Sequence, residues 1–188
     1  RKLLNYNTPN PLYESSLGSF SEGDNFDFMN TTNVQLWFGE KFRIDGDFSF
    51  QKSKYNSKKF TSPFAAAQIS SQSDVSKRGV LQDGYTTTTT YQGKIMGSYN
   101  TYLLQKLFLT TMAGASIESS SIDGATYTTI GYYTDKLAHP TFASSYGTGK
   151  PTGTDSRYTG VGFFVNANAI WDNRYFLDVV YRYEGSSK

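Results

Sequence analysis

Few residues in this chain have the types and spacing that chemistry requires. Ser49 and Lys52 match the Ser-x-x-Lys pattern of an activated serine. In an extended chain, residues three apart point to opposite faces, so the hydroxyl and amine cannot form a nucleophile–base pair. Gly147-Thr148-Gly149-Lys150-Pro151-Thr152-Gly153 has the look of a phosphate loop. It lacks both the dinucleotide spacing and the Gly-Lys-Ser/Thr order, and no helical pattern follows to supply a dipole. Asp178, Arg182 and Glu184 share one face of an alternating segment, where ion pairing accounts for them better than acid–base work does. The single histidine, His139, excludes any site built on two imidazoles, and the absence of cysteine excludes thiolate metal sites and disulfides. No catalytic, cofactor-binding or metal-binding residue is assigned, and the chain reads as a non-enzyme.

Ligand recognition fits better. Between Tyr127 and Tyr146 the sequence gathers Tyr127, Tyr132, Tyr133, His139, Phe142 and Tyr146. Aromatic rings can stack on sugar faces and tyrosine adds a hydroxyl, but the same residues also pack a long loop on itself or on a partner. Both roles stay open: these six are candidates for contact with a substrate or with a covering lid.

The elements carrying these residues are strands. Val161, Phe163, Val165, Ala167, Ala169 and Trp171 alternate with residues that include Gly162, Asn166 and Asn168. After Asp172-Asn173-Arg174, the residues Tyr175, Leu177, Val179, Tyr181 and Tyr183 resume the pattern. Two alternating runs joined by a short polar turn predict an antiparallel hairpin. Residues 26–38 and 42–54 predict a second around Gly39-Glu40-Lys41, with Trp37 on the polar face; 85–99 and 105–118 predict a third, and 158–171 with 175–184 complete the set. Short turns near 39–41, 100–105 and 172–174 contrast with long Ser/Thr/Gly/Asn-rich stretches over 57–83 and 119–156, which read as loops.

Composition narrows the setting. Of 188 residues, 16% are aromatic and 18% charged, which excludes disorder, and a net charge of +2 gives no footprint for nucleic acid. The longest apolar run is four residues, Phe64 to Ala67, so no helix of about 20 apolar residues crosses a bilayer. The start of the chain shows no export signal. The mean hydropathy of −0.51 leaves a membrane β-barrel open, because barrel strands alternate. Runs longer than the usual strand of about 5–6 residues, aromatics at the strand ends and short turns opposite long loops all favour a barrel wall. Six predicted strands fall short of the eight of the smallest bacterial barrels, so the fold class expected is all-β, an incomplete antiparallel transmembrane barrel segment. The rival expectation is a soluble secreted β-sandwich that binds carbohydrate.

Several segments carry a family resemblance: Asn10-Pro11-Leu12-Tyr13 with Leu17 to Phe20, Phe42 to Phe50, Phe60 to Pro63, Thr134 to Gly153, and Arg157 to Lys188. In that order they resemble the barrel of SusC/RagA-like TonB-dependent outer-membrane transporters. Where many members read Asp-Gly-Ser-Ser near the end, this chain has Glu184-Gly185. The resemblance implies a 22-stranded barrel in the bacterial outer membrane, with a plug and a TonB box in regions not visible here. It also implies a SusD-like surface lipoprotein as lid, TonB as energy source, and an oligosaccharide or peptide as cargo.

Overall fold

The computed structural model describes residues 9–103, 106–147 and 149–187. Leu104 and Gln105, in the turn expected near 100–105, and Thr148 of the glycine-rich loop lie outside the described residues, as does Lys188. Seven strands form one open antiparallel sheet: β1 (Phe20–Phe38), β2 (Phe42–Thr61), β3 (Val80–Leu103), β4 (Leu107–Ile130), β5 (Ser145–Tyr146), β6 (Thr152–Trp171) and β7 (Tyr175–Ser187). The order is β1-β2-β3-β4-β6-β7, with the short β5 pairing β4. The sheet is not closed. This is the expected incomplete all-β segment. The sandwich alternative needs two packed sheets, and the described strands make one.

The strands run farther than the alternation suggested. Residues 57–61, 80–83, 119–130 and 152–156, read as loop from their Ser/Thr/Gly content, are β structure. Composition misled there because β-branched threonine is at home in a ladder, and a polar strand loses its alternation signal while keeping its hydrogen bonds. Two short helices also occur, α1 (Pro11–Glu14) and α2 (Ala66–Ser71). Asn10 caps α1, its Oδ1 accepting from the Leu12 N–H at 3.1 Å, and Pro11 stands at the first helical position.

The chain divides into two compact units. One comprises 27–53 and the described parts of 88–122 and 156–188. It is a two-faced sheet. On the polar face, Gln35 Nε2 donates to Asp45 Oδ1 at 2.7 Å, Arg43 Nε pairs with Asp45 Oδ2 at 2.8 Å, and the Arg43 guanidinium lies 5.2 Å from the Trp37 ring centroid. On the apolar face, Phe28 and Phe50 stand 6.0 Å apart, Phe50 and Tyr91 5.0 Å, and Phe38 and Phe42 5.8 Å. The register of β6 on β7 pairs Phe163 with Tyr183, Val165 with Tyr181 and Ala167 with Val179. Their turn is set by Asp172 and Asn173, both at φ 52°, and closed by the Arg174 N–H on the Trp171 carbonyl at 3.0 Å. Asp and Asn are the side chains that best tolerate this left-handed geometry.

The other unit comprises 54–87 and the described parts of 123–155 and 1–26. Its core is Phe60, Leu81 and Tyr132, each at most 1% exposed, with Phe20, Ala138 and Ala143 packed against it. The segments 62–79 and 131–147, which carry α2 and β5, are tied down by individual hydrogen bonds. Asp135 Oδ2 accepts from the Gly18 N–H at 3.1 Å, Ser19 Oγ from the Ser62 N–H at 2.9 Å, and Glu14 Oε1 from the Ala66 N–H at 2.8 Å. Gly131, at φ +84°, opens the second segment in a conformation that side-chain-bearing residues rarely adopt. Among the described residues no helix is long and apolar enough to cross a membrane, which says nothing about strands.

Candidate functional site

The six aromatic candidates separate into distinct environments. Tyr132 is 1% exposed, edge-on to Phe60 at 5.1 Å, with its hydroxyl 2.6 Å from Thr129 Oγ1. Burial raises its phenol above the ordinary value, so it stays neutral and hydrogen-bonded. It is a core residue of its unit. Tyr133 is 72% exposed and points away from that core. His139 caps the 3-10 turn Pro140–Phe142: its Nδ1 accepts from the Thr141 N–H at 3.3 Å, and its ring stands 6.4 Å from Phe142. That local role accounts for the histidine without a metal.

Tyr127 and Tyr146 come together, their ring centroids 6.5 Å apart at 75°. β5 makes this contact possible, because its two residues pair with β4 at Thr129 and Ile130. Tyr127 Oη donates to Asp83 Oδ2 at 3.0 Å. Burial first, then that carboxylate, push its phenol up to about 12. Asp83, Lys54, Asn56 and Tyr85 surround Tyr127 and were not expected at a site. Asp83 lies in a stretch read as loop, and its place opposite Tyr127 follows from the β3–β4 register, for which single-sequence alternation holds no signal.

The second grouping belongs wholly to the two-faced unit. A cavity of about 590 Å³ on its polar face is lined by Asp47, Lys94, Glu118, Arg182 and Glu184 among others. Arg182 pairs with Glu184, Gln92 Nε2 donates to Glu118 Oε1 at 3.3 Å, and Lys94 Nζ lies 5.7 Å from the Phe164 ring centroid. Asp178 accepts from Asn168 Nδ2 at 2.7 Å. Glu118, Asp178 and Glu184 are thus each engaged by a donor side chain. Ser49 meets Thr31 at 3.3 Å rather than Lys52. In the glycine-rich loop, the Gly147 N–H is spent on the Thr128 carbonyl at 2.8 Å, which removes a donor that a phosphate cradle would need. The face carries charges of both signs.

Compared with solved structures, the fold matches one chain of the RagAB peptide transporter with a TM-score of 0.74 at 15% identity, over 88% of this chain and 18% of that chain. The RagAB peptide importer matches in its closed-closed state (TM-score 0.74, 15% identity, 89% and 18% of the two chains) and in its open-open state (0.72, 14%, 89% and 18%). At such identities the likeness is one of fold, and the chain spans about 18% of the length of those neighbours. No protein family matches the sequence, and no curated protein does.

Proposed function

We propose that this chain is part of the wall of a SusC/RagA-like, TonB-dependent importer in the bacterial outer membrane, carrying oligosaccharides or peptides and performing no bond chemistry. The observation that carries this reading is the apolar face of the two-faced unit. Phe163, Val165, Leu177, Val179, Tyr181 and Tyr183 are each between 49% and 64% exposed. A continuous exposed apolar surface on this scale is foreign to a soluble monomer, while lipid would cover it at no cost. The opposite face, with its paired charges, would line the water-filled side. The open edges at β1 and β7 add support, since an edge in lipid leaves backbone groups unsatisfied at several kcal/mol each; further strands of the same wall would pair with them. The likeness in fold to the RagAB importer points the same way.

On this reading TonB acts through a region outside these residues, and a SusD-like lipoprotein meets the loop-bearing unit. Exposed Leu12, Tyr133, Leu137 and Phe142 offer apolar contact there. The full-length protein should be recovered from outer membranes only with detergent and should show heat-modifiable gel migration. A strain lacking it should lose growth on the imported oligosaccharide or peptide. Recovery from the soluble fraction without detergent defeats the proposal.

A further inference from the structure

The strands of the two-faced unit sort their charges by face. Side chains alternate along a strand, and the cavity lined by Asp47, Glu118 and Glu184 marks the polar face. Asp27, Asp45 and Asp178 share that alternation, so every acidic residue in the unit's described strands is on the polar face. The apolar face holds none. Its only strand charges, among the described residues, are Lys52 on β2 and Arg157 on β6, both exposed. Neither side chain has an ion-pair or hydrogen-bond partner among the described residues.

The two cations lie in one row. The Asn100 N–H on the Lys41 carbonyl at 2.8 Å fixes β3 against β2, and Thr90 meets Ser120 at 3.2 Å across β3 and β4. Ser119 meets Thr159 at 3.2 Å across β4 and β6. Counted from these contacts, Lys52, Thr89, Ser121 and Arg157 are successive cross-strand neighbours. With strands about 4.8 Å apart, the cations are rooted about 14 Å from each other. The row closes the apolar band, one outward step past Phe50 and Tyr91, whose rings stand 5.0 Å apart. Phe42 to Phe50 on β2 and Tyr91 to Tyr99 on β3 supply the about 9–11 residues with which a tilted strand crosses a bilayer. The outward positions that follow, Lys54, Asp123 and Asp155, carry both signs, as a surface in water does.

We propose that this row, on the lipid-facing wall proposed above, binds the phosphates of anionic lipid headgroups, a claim that rests on that reading and adds a lipid class to it. Long basic side chains at the edge of an apolar surface reach up to the headgroup level. The guanidinium grips phosphate with paired N–H donors, and the hydroxyls of Thr89 and Ser121 add two more. A zwitterionic headgroup brings an ammonium that finds no carboxylate on this face of the unit, whereas an anionic headgroup needs none. Mere hydration of the two cations would not require the acids to be confined to the opposite face.

Photocrosslinking from the middle of the row tests the site locally. The full-length protein, with p-benzoylphenylalanine in place of Thr89, is placed in nanodiscs of phosphatidylcholine and phosphatidylglycerol in equal amounts, and the captured lipid is identified by mass spectrometry. Phosphatidylglycerol should be captured about fivefold over phosphatidylcholine, the worth of one cation at an anionic surface. The excess should survive Lys52→Arg, shrink in Lys52→Gln and in Arg157→Gln, and vanish in the double variant and in high salt. Lys94→Gln, on the polar face, should leave it unchanged, and heat-modifiable migration shows that each barrel is intact. Equal capture of the two lipids, or an excess indifferent to Lys52→Gln and Arg157→Gln, overturns the proposal and leaves the lipid-facing wall standing. Capture of no lipid at all overturns both.

Discussion

Val165 and Tyr181 are register partners across β6 and β7, and both project from the same face, 49% and 64% exposed. Their neighbours in sequence and register, Asn166 and Val180, project from the other. If the first face meets lipid, Val165→Arg should cost about 2–4 kcal/mol near the midplane and abolish heat-modifiable migration of the full-length protein, as should Ala113→Arg. Asn166→Arg, one residue away on the opposite face, should leave migration intact. Equal tolerance of Val165→Arg and Asn166→Arg would remove the membrane assignment.

Tyr132 and Thr129 share a buried hydrogen bond of 2.6 Å. Tyr132→Phe should strand the threonine hydroxyl and destabilise the loop-bearing unit by about 1–3 kcal/mol. Tyr132→Ala, which also empties the space against Phe60, should cost about 3–5 kcal/mol. Faster amide exchange around Gly131 and Phe60 is the measurement that localises the loss.

The Tyr127 phenol is held at about 12, above the ordinary value of 10.0 that it regains on unfolding. Between those values the folded state holds the proton and the unfolded state releases it, so the contribution is fully present below pH 10 and is lost as pH rises through 12. NMR of ring-labelled tyrosine should show late-titrating resonances for Tyr127 and Tyr132, the first of which is absent in Tyr127→Phe. Asp83→Asn should lower the Tyr127 pKa only in part, because burial is the larger cause.

Asn173 sits at φ 52° in the turn between β6 and β7. Asn173→Gly should therefore be tolerated. Asn173→Val, forced into the left-handed region, should cost about 1–2 kcal/mol, read from the urea midpoint of the refolded full-length protein.

Phe164 points at Gly114, where an added Cβ would lie 2.5 Å from the Phe164 ring edge and 2.5 Å from the Ile95 carbonyl oxygen. Gly114→Val should cost about 1–3 kcal/mol through overpacking. Combining it with Phe164→Ala should recover only part of the loss, since the backbone carbonyl stays in place.

The hairpins, the turns at 39–41 and 172–174 and the division into an apolar and a polar face, down to Trp37 joining Arg43, were legible in the sequence; the turn expected near 100–105 was not, since β3 continues through Leu103. In a strand the side-chain period is two, so each residue's face is decided by its immediate neighbours. The strand extensions through 119–130 and 152–156 were not, because polar strands keep their backbone ladder without an alternating signature. The candidate site was legible only as a cluster of aromatic residues. That Tyr132 is core, that Tyr127 meets Asp83 across 44 residues, and that Asp135 reaches Gly18 across 117 were decided by the tertiary structure. Such contacts depend on how separate hairpins set their register and fold their connections back, and a long-range register leaves no mark on the local spacing of residues.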